Sequence, residues 1–254
     1  MTEKFFNINA NGCSVRSKIY LEDKKSVSKV VLYGHGFGGH KDNKAAKRFA
    51  EFILKKHRDV AVITFDAPCH GDDVKKKLTD MKDFDTYIKT VNDYAAQQFH
   101  TDKIYVYATS FGGYQFLRYI SEHGCIYKKI ALRCPAVNMY DVLSLRIMSD
   151  EEQKALSKNK PVSVGFDRKI NITRQFMEAL READISVRDF TEYAGDILIL
   201  HGTKDEVVSF DFVQAFAEKN GIRFIPVENA DHRFKNPLNM DFAIKEIADF
   251  FDFE

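Results

Sequence analysis

Short apolar runs alternate with amphipathic segments along most of the chain. Apolar runs of five or six residues are typical of buried parallel strands, and apolar residues at every third or fourth position predict helices. The predicted strands cover residues 29–33, 60–65, 104–107, 129–133, 196–200 and 223–227, of which 29–33 and 60–65 are expected to be buried. The predicted helices cover residues 42–56, 84–99, 114–120, 210–218 and 240–251. This alternation predicts an α/β fold, with one mostly parallel sheet covered by helices on both faces.

Two features depart from the alternation. Residues 4–8 and 13–21 read as strands, and the Asn9-Ala10-Asn11-Gly12 segment between them predicts a hairpin turn.

Residues 137–193 contain no good candidate for a buried strand and carry charged helical segments at 150–158 and 173–182. A stretch of that length inside a domain is usually functional or has structure of its own. We therefore predict a core of residues 1–136 and 194–254 with an inserted cap at 137–193. The alternative is a crossover whose extra surface helices contact no ligand.

Composition narrows the class of protein. The chain has 254 residues, 44% hydrophobic and 30% charged, with a formal net charge of +1. This balance implies no general attraction to nucleic acid or to acidic membranes. We expect no signal peptide, because the first residues include an acidic side chain and no apolar core, and no apolar stretch approaches a membrane span. Four scattered cysteines fit reduced thiols, so we expect a cytoplasmic protein.

Candidate chemistry begins where the strand at 104–107 ends. Residues 108–113 read Ala-Thr-Ser-Phe-Gly-Gly, and a helical pattern follows. A serine flanked by small residues at a strand-to-helix corner is typical of a nucleophile whose hydroxyl is held clear of the backbone. The usual pattern is Gly-x-Ser-x-Gly, and Ala108 replaces its first glycine. Ser110 is therefore the candidate nucleophile, and an ordinary turn between strand and helix is the alternative.

A serine nucleophile needs a base, and the base needs a carboxylate to orient it. Asp205 follows the strand at 196–200, and His232 follows the strand at 223–227. Both are predicted in loops at the carboxyl edge of the sheet, where ligands bind in open α/β folds. Asp205 is the preferred carboxylate. Glu206 is the weaker alternative, and the side chain of Asp231 is expected to point away because it adjoins His232.

The remaining candidates concern the oxyanion and the other histidines. Residues 34–39 read Gly-His-Gly-Phe-Gly-Gly and lack the spacing of a phosphate-binding loop. We predict that the backbone amides of Phe37 and Phe111 stabilise the oxyanion. His35, His70 and His201 are each expected to be scaffold residues first and substrate contacts second, and His201 is expected to begin a turn. The histidines have no metal-ligand spacing, so no metal site is predicted.

Together these motifs, in this order, resemble the α/β-hydrolase superfamily over nearly the whole chain. Within it the chain is most similar to bacterial feruloyl (cinnamoyl) esterases and related small serine esterases. Prolyl-oligopeptidase-type hydrolases share the Ser-Phe-Gly-Gly sequence, but no propeller precedes it here. The superfamily's Ser…Asp…His order matches Ser110, Asp205 and His232.

The resulting hypothesis is cleavage of a carboxylic ester through an acyl-serine intermediate, without a cofactor. The cap would line the substrate pocket with apolar side chains, and the candidate substrate contacts are His35, Met139, Tyr140 and Phe166. The expected partner is a small ester, hydroxycinnamoyl esters included, with no nucleic acid and no membrane. A homodimer stays open as an alternative to the monomer. A peptidase or thioesterase would use the same three residues, and a non-catalytic binding protein with this fold would lack one of them.

Overall fold

The computed structural model describes residues 1–73, 76–78 and 80–253. Its main sheet has eight strands, and a second, smaller sheet has three. Glu254, the last residue of the predicted core, lies outside the described residues.

Numbered in chain order, the strands are β1 Thr2–Ala10, β2 Cys13–Leu21, β3 Lys29–Gly34, β4 Val60–Phe65, β5 Lys77–Leu78, β6 Ile104–Thr109, β7 Lys129–Arg133, β8 Val162–Val164, β9 Ile170–Ile172, β10 Ile197–Gly202 and β11 Arg223–Val227. The helices are α1 Lys44–Leu54, α2 Lys82–Phe99, α3 Phe111–His123, α4 Met139–Asp141, α5 Asp150–Ser157, α6 Arg174–Glu182, α7 Phe210–Asn220 and α8 Pro237–Phe251. A π-helical segment, Val142–Ile147, continues directly from α4.

The main sheet has the strand order β1-β2-β4-β3-β6-β7-β10-β11. Its six strands from β4 to β11 run parallel to their neighbours, whereas β1 and β2 form the predicted antiparallel hairpin. Asn11 and Gly12 close that hairpin with positive φ angles of 52° and 74°, as a two-residue Asn-Gly turn requires. The predicted α/β class, with one mostly parallel sheet, is confirmed.

Helices cover both faces of the sheet. Helices α1 and α8 pack on one face, where Phe49 and Phe251 belong to one apolar cluster. Helices α2, α3 and α7 pack on the other face, within a larger cluster that includes Phe84 and Phe111. The amphipathic patterns read from the sequence account for these faces, because the buried positions recur with the helical period.

Strand order reverses between β3 and β6, which pair side by side with Gly34 opposite Ala108. The chain leaves β3 to form β4 on one side and returns to form β6 on the other. In an open α/β sheet such a reversal leaves a crevice at the carboxyl ends of the two strands. Ser110 follows β6 and the glycine-rich loop follows β3, so both come to the same crevice.

The segment 137–193 holds α4, α5 and α6, and it also contains two short strands that the sequence did not predict. Strands β8 and β9 form a hairpin, and β9 pairs in parallel with β5, which precedes α2. Phe176 and Phe190 of this segment are fully buried within the larger apolar cluster of the core. The insertion is therefore packed against the core and tied to the loop after β4 by backbone hydrogen bonds.

The four cysteines, Cys13, Cys69, Cys125 and Cys134, are free thiols. No helix among the described residues combines the length and the apolar character needed to cross a membrane.

Candidate active site

Ser110 is the single residue between β6 and α3, and the backbone turns sharply there. Its φ is 51° and its ψ is −118°, a conformation that costs free energy for a residue with a Cβ and that is found at functional sites. Helix α3 begins at the next residue. The corner is tight, because a Cβ built on Gly112 would lie 2.5 Å from the carbonyl oxygen of Gly34. Only glycine fits there without moving the backbone.

Ala108 is accommodated because its neighbour across the sheet is a glycine. A Cβ built on Gly34 would lie 3.1 Å from the Cβ of Ala108 and 2.9 Å from the ring of Phe116. In the usual pattern the first glycine leaves space on β6. Here Gly34 leaves that space on the neighbouring strand β3. The departure from Gly-x-Ser-x-Gly leaves the corner intact.

The structure brings Ser110, His232 and Asp205 together in a hydrogen-bonded line. The Oγ of Ser110 lies 3.0 Å from Nε2 of His232. The Nδ1 of the same ring lies 2.7 Å from Oδ2 of Asp205. Asp205 lies in the loop after β10 and His232 in the loop after β11, as the sequence predicts. These distances suit proton transfer from the serine to an imidazole oriented by a carboxylate.

The carboxylate of Asp205 is fully hydrogen-bonded. Its Oδ1 accepts from the amides of Val207 and Val208 at 2.9 and 2.8 Å. Its Oδ2 is shared by His232 and by His201, whose Nε2 is 3.1 Å away. Burial acts to raise the pKa of this carboxyl, but the hydrogen bonds from the two histidines outweigh burial and hold the pKa well below its usual range.

The two competing carboxylates have other partners. Asp231 turns away from His232, accepting a hydrogen bond from the amide of Lys235 at 2.8 Å. Glu206 accepts from the backbone amide of His232 at 3.3 Å. Glu206 therefore contacts the histidine's main chain and not its ring.

His35 and His70 hold loops beside the site. The Nε2 of His35 accepts a hydrogen bond from the amide of Ala67 at 3.1 Å, and its Nδ1 lies 2.8 Å from the carbonyl oxygen of Gly36. Burial lowers the pKa of both histidines, that of His70 to about 3. Since both nitrogens of His35 are engaged by backbone, the ring links the loops after β3 and β4 and does not line the cavity described below.

The predicted oxyanion donors lie next to the nucleophile. Phe111 is the first residue of α3, a position where a helical amide has no intrahelical acceptor. The loop that carries Phe37 passes close by, because a Cβ on Gly36 would lie 3.3 Å from the Cβ of Ser110. The rings of Phe37 and Phe111 pack edge to face with their centroids 5.6 Å apart. Phe37 and Phe111, whose amides are the predicted oxyanion donors, are thus in contact with each other beside the serine.

A cavity of about 610 Å³ opens over Ser110 and His232. Its apolar lining consists of Phe37, Ala45, Ile147, Phe166, Val207, Phe234 and Met240. Of the candidate substrate contacts, Phe166 lines this cavity, and its side chain is exposed. Met139 does not line it and is buried in the core. Tyr140 does not line it either, and its ring packs with the guanidinium of Arg181 at 5.9 Å.

Among the described residues, two groups of side chains could present metal ligands within 4.8 Å of one another. The first, Cys134 with His201 and Asp205, shares its carboxylate with the hydrogen-bonded line described above. In the second, Asp85 and Glu122 both bind Arg118. In both groups a metal would have to displace an existing partner of the carboxylate.

Sequence reasoning missed two side chains of the site. His201 does not begin a turn but belongs to β10, where it is fully buried against Asp205. Arg133, the last residue of β7, lines the cavity, and its Nη1 donates to the backbone carbonyl of His232 at 3.1 Å. A charged residue at the end of an otherwise apolar strand was the available signal for Arg133.

Several solved structures of known proteins superpose on this chain. The structure of Est1E from Butyrivibrio proteoclasticus with ferulic acid bound superposes with a TM-score of 0.74 at 17% identity, over 96% of this chain and 97% of that one. A putative hydrolase from Agrobacterium vitis S4 gives a TM-score of 0.75 at 17% identity, over 99% of both chains. The family model described as serine aminopeptidase S33 matches residues 25–148. The chain has the α/β-hydrolase fold.

Other α/β-hydrolase structures have similar coverage. A soluble variant of monoglyceride lipase from Saccharomyces cerevisiae, in complex with a substrate analog, has a TM-score of 0.72 at 15% identity, over 99% of this chain and 95% of that one. No curated protein sequence matches the chain. The matched family segment contains Ser110 and the loop of Phe37 but ends before Asp205 and His232. The assignment of the histidine and the carboxylate therefore depends on the geometry of this chain alone.

Proposed function

We propose that this α/β-hydrolase is a serine hydrolase that cleaves carboxylic esters through an acyl-serine intermediate. The observation that carries the proposal is the line from Ser110 Oγ to His232 Nε2, at 3.0 Å, and from His232 Nδ1 to Asp205 Oδ2, at 2.7 Å. The strained corner at Ser110 and the cavity of about 610 Å³ above it support the same assignment.

In the proposed mechanism His232 removes the proton of Ser110 as Oγ attacks the ester carbonyl carbon. The carbonyl oxygen becomes an oxyanion, which the amides of Phe37 and Phe111 stabilise. His232 then protonates the leaving alcohol as the carbon–oxygen bond breaks. A water molecule, deprotonated by His232, attacks the acyl-serine, and the acid is released with Ser110 regenerated. Asp205 holds the ring so that Nε2 faces the serine and offsets the positive charge of the imidazolium.

The acyl group is proposed to be small or aromatic. The apolar lining of the cavity includes the aromatic rings of Phe37 and Phe166, which suit an acyl chain or an aryl ring. The structural neighbour Est1E binds ferulic acid, so hydroxycinnamoyl esters belong among the substrates to be tested.

The matching family is described as serine aminopeptidases, which makes peptide hydrolysis the second candidate. An aminopeptidase must bind the positively charged amino terminus of a peptide. The cavity contains one acidic residue, Asp167, and that carboxylate already binds Arg233 at 2.7 Å. Since the other charged groups of the cavity are cationic, its electrostatics favour the ester over the peptide.

A substrate panel tests the proposal. Initial rates would be measured with p-nitrophenyl butyrate, methyl ferulate, S-phenyl thioacetate and leucine p-nitroanilide, using the wild type and Ser110→Ala. We expect turnover of at least one oxygen ester, with a loss of at least about a thousandfold in Ser110→Ala. Equal rates in the two proteins would contradict the proposal, and so would cleavage restricted to the thioester or the anilide.

A further inference from the structure

The cavity over Ser110 is strongly basic. Its lining includes a single acidic residue, Asp167, and six basic residues, which are Lys44, Arg48, Arg133, Arg168, Arg233 and Lys235. The chain as a whole has a net charge of only +1. The positive charge is therefore concentrated at the site, and a charge of one sign lining a cleft attracts ligands of the opposite sign.

Half of these cations are neutralised by carboxylates. Arg48 binds Asp241 at 2.6 Å, Arg233 binds Asp167 at 2.7 Å, and Lys235 lies 3.3 Å from Asp231. In the part of the chain that the structure describes, no carboxylate lies within ion-pair distance of the other three, Lys44, Arg133 and Arg168.

Arg133 differs from the other two because it is buried. Only 6% of its surface is exposed. Its Nε donates to the hydroxyl of Tyr107 at 3.3 Å and its Nη1 to the carbonyl of His232 at 3.1 Å, while the guanidinium lies 5.0 Å from the centre of the Phe234 ring. The hydroxyl of Tyr33 is a further partner of this guanidinium. A guanidinium has five N–H donors, so two are left after these three bonds. Buried charges in proteins are normally paired with an opposite charge.

The two exposed cations, Lys44 and Arg168, belong to other segments of the cavity wall. The carbonyl oxygen of Arg168 would lie 2.6 Å from a Cβ on Gly38, which places this residue directly on the loop of Phe37. Burial and the positive charge of Arg168 both lower the pKa of His40, another residue of the lining. Lys44 is the first residue of α1, so the positive end of the helix dipole lies at this part of the cavity wall.

We propose that the substrate of this hydrolase carries a carboxylate, which binds the free edge of the Arg133 guanidinium while the ester carbonyl lies at Ser110. This inference rests on the proposed ester hydrolysis and names its substrate class. A carboxylate supplies the one negative charge that Arg133 lacks, and hydrogen bonds between two charged groups are the strong ones. Lys44 and Arg168 add longer-range attraction and steer the anion towards the site.

A matched pair of esters tests this substrate class. p-Nitrophenyl hydrogen adipate and its methyl ester release the same leaving group, and only the first carries a carboxylate. We expect kcat/KM of the wild type to be at least about tenfold higher for the anionic ester, after subtraction of uncatalysed hydrolysis. The preference should shrink at high salt, because ions screen the exposed cations. A ratio at or below one would overturn the proposal.

Variants of the cavity cations test which side chains cause the preference for the anionic ester. Arg133→Met should lower the anionic-to-neutral ratio about tenfold, and Arg133→Lys should restore part of it. Lys44→Gln and Arg168→Gln, both at exposed positions, should lower the ratio severalfold. Lys55→Gln is the matched control, since it removes an exposed charge at the far end of the same helix, about 16 Å from Lys44. A preference unchanged in all three cavity variants would overturn the assignment to these residues.

Binding to Ser110→Ala separates this inference from the proposed function. Calorimetry would compare monomethyl adipate with dimethyl adipate, neither of which this variant can turn over by the proposed mechanism. Preference for the monoanion, with no ester cleaved by the wild type, would refute the hydrolase function and leave the anion site standing. Equal binding of both compounds, with unselective cleavage by the wild type, would refute the anion site and leave the hydrolase function standing.

Discussion

The Nε2 of His201 lies 3.1 Å from Oδ2 of Asp205, and neither side chain has any exposed surface. The same imidazole nitrogen lies 3.1 Å from the carbonyl oxygen of Val208. His201, a residue of β10, thus binds one carboxylate oxygen of Asp205. The amides of Val207 and Val208 bind the other carboxylate oxygen. The carboxylate that orients His232 is therefore held by hydrogen bonds at both of its oxygens.

Replacing His201 should slow catalysis without removing it. In His201→Phe, Asp205 loses one of its donors and becomes free to move, so we expect kcat on a p-nitrophenyl ester to fall about tenfold. His201→Gln can still present an N–H to the carboxylate and should lose less. Wild-type kcat in the phenylalanine variant would contradict a positioning role for His201.

The two neighbouring acids should respond very differently to neutralisation. Asp205→Asn offers an amide to His232 Nδ1 and favours the wrong tautomer of the ring, so we expect kcat to fall by roughly 10³–10⁴. Glu206→Gln is the matched control, because its side chain is hydrogen-bonded to the backbone amide of His232, whereas the ring nitrogens bind Asp205 and Ser110. Its kcat should stay within about threefold of the wild type. Similar losses in the two variants would mean that the carboxylate assignment is wrong.

Stability should depend on the glycine beside the nucleophile. The Cβ of Gly112→Ala would lie 2.5 Å from the carbonyl oxygen of Gly34, so the backbone must shift. We expect the free energy of unfolding to fall by about 2–4 kcal/mol, measured by urea titration. Gly195→Ala is the control, since its Cβ would meet no atom within 4 Å, and it should change stability by less than about 0.5 kcal/mol. Equal losses of stability in the two variants would contradict close packing around Gly112.

Acid should destabilise the fold partly through His70. Its ordinary pKa of 6.5 is lowered to about 3 in the folded state because the ring is buried. Between these values the unfolded chain binds a proton that the folded chain does not, so stability is lost as the pH falls, by roughly 1.4 kcal/mol per pH unit.

His70→Asn tests this contribution, because it can keep the hydrogen bond to the carbonyl of Pro68 and cannot titrate. Urea titrations at pH 6.5 and 4.5 should show the variant losing about 2–3 kcal/mol less than the wild type over this interval. Identical losses would show that His70 is protonated in the folded protein as readily as in the unfolded chain.

Much of the core was predictable because local pattern and tertiary role agree there. Strands β7 and β11 match their predicted bounds, since each is an apolar run between clear breaks. The Asn-Gly turn set the register of the β1–β2 hairpin. The turn at Ser110 was predictable because the close packing of strand and helix there requires small residues beside the serine.

What the sequence could not show depends on contacts between distant segments. Strands β8 and β9 have three residues each, too few for a periodic signal, and β9 is stabilised by pairing with β5, more than ninety positions earlier. Arg133 reads as the end of an apolar strand, and its partners, Tyr107 and His232, come from other strands or loops. The basic cavity likewise gathers cations from separate loops into one place.

Fluorophosphonate labelling of the purified protein, read by intact mass and peptide mapping, tests the central claim most directly. The account predicts one adduct, on Ser110, in the wild type and in the control Ser157→Ala, whose exposed serine lies in α5, and none in Ser110→Ala. An adduct that persists in Ser110→Ala, or a folded wild type that takes up no label, would contradict the account of Ser110 as an activated nucleophile.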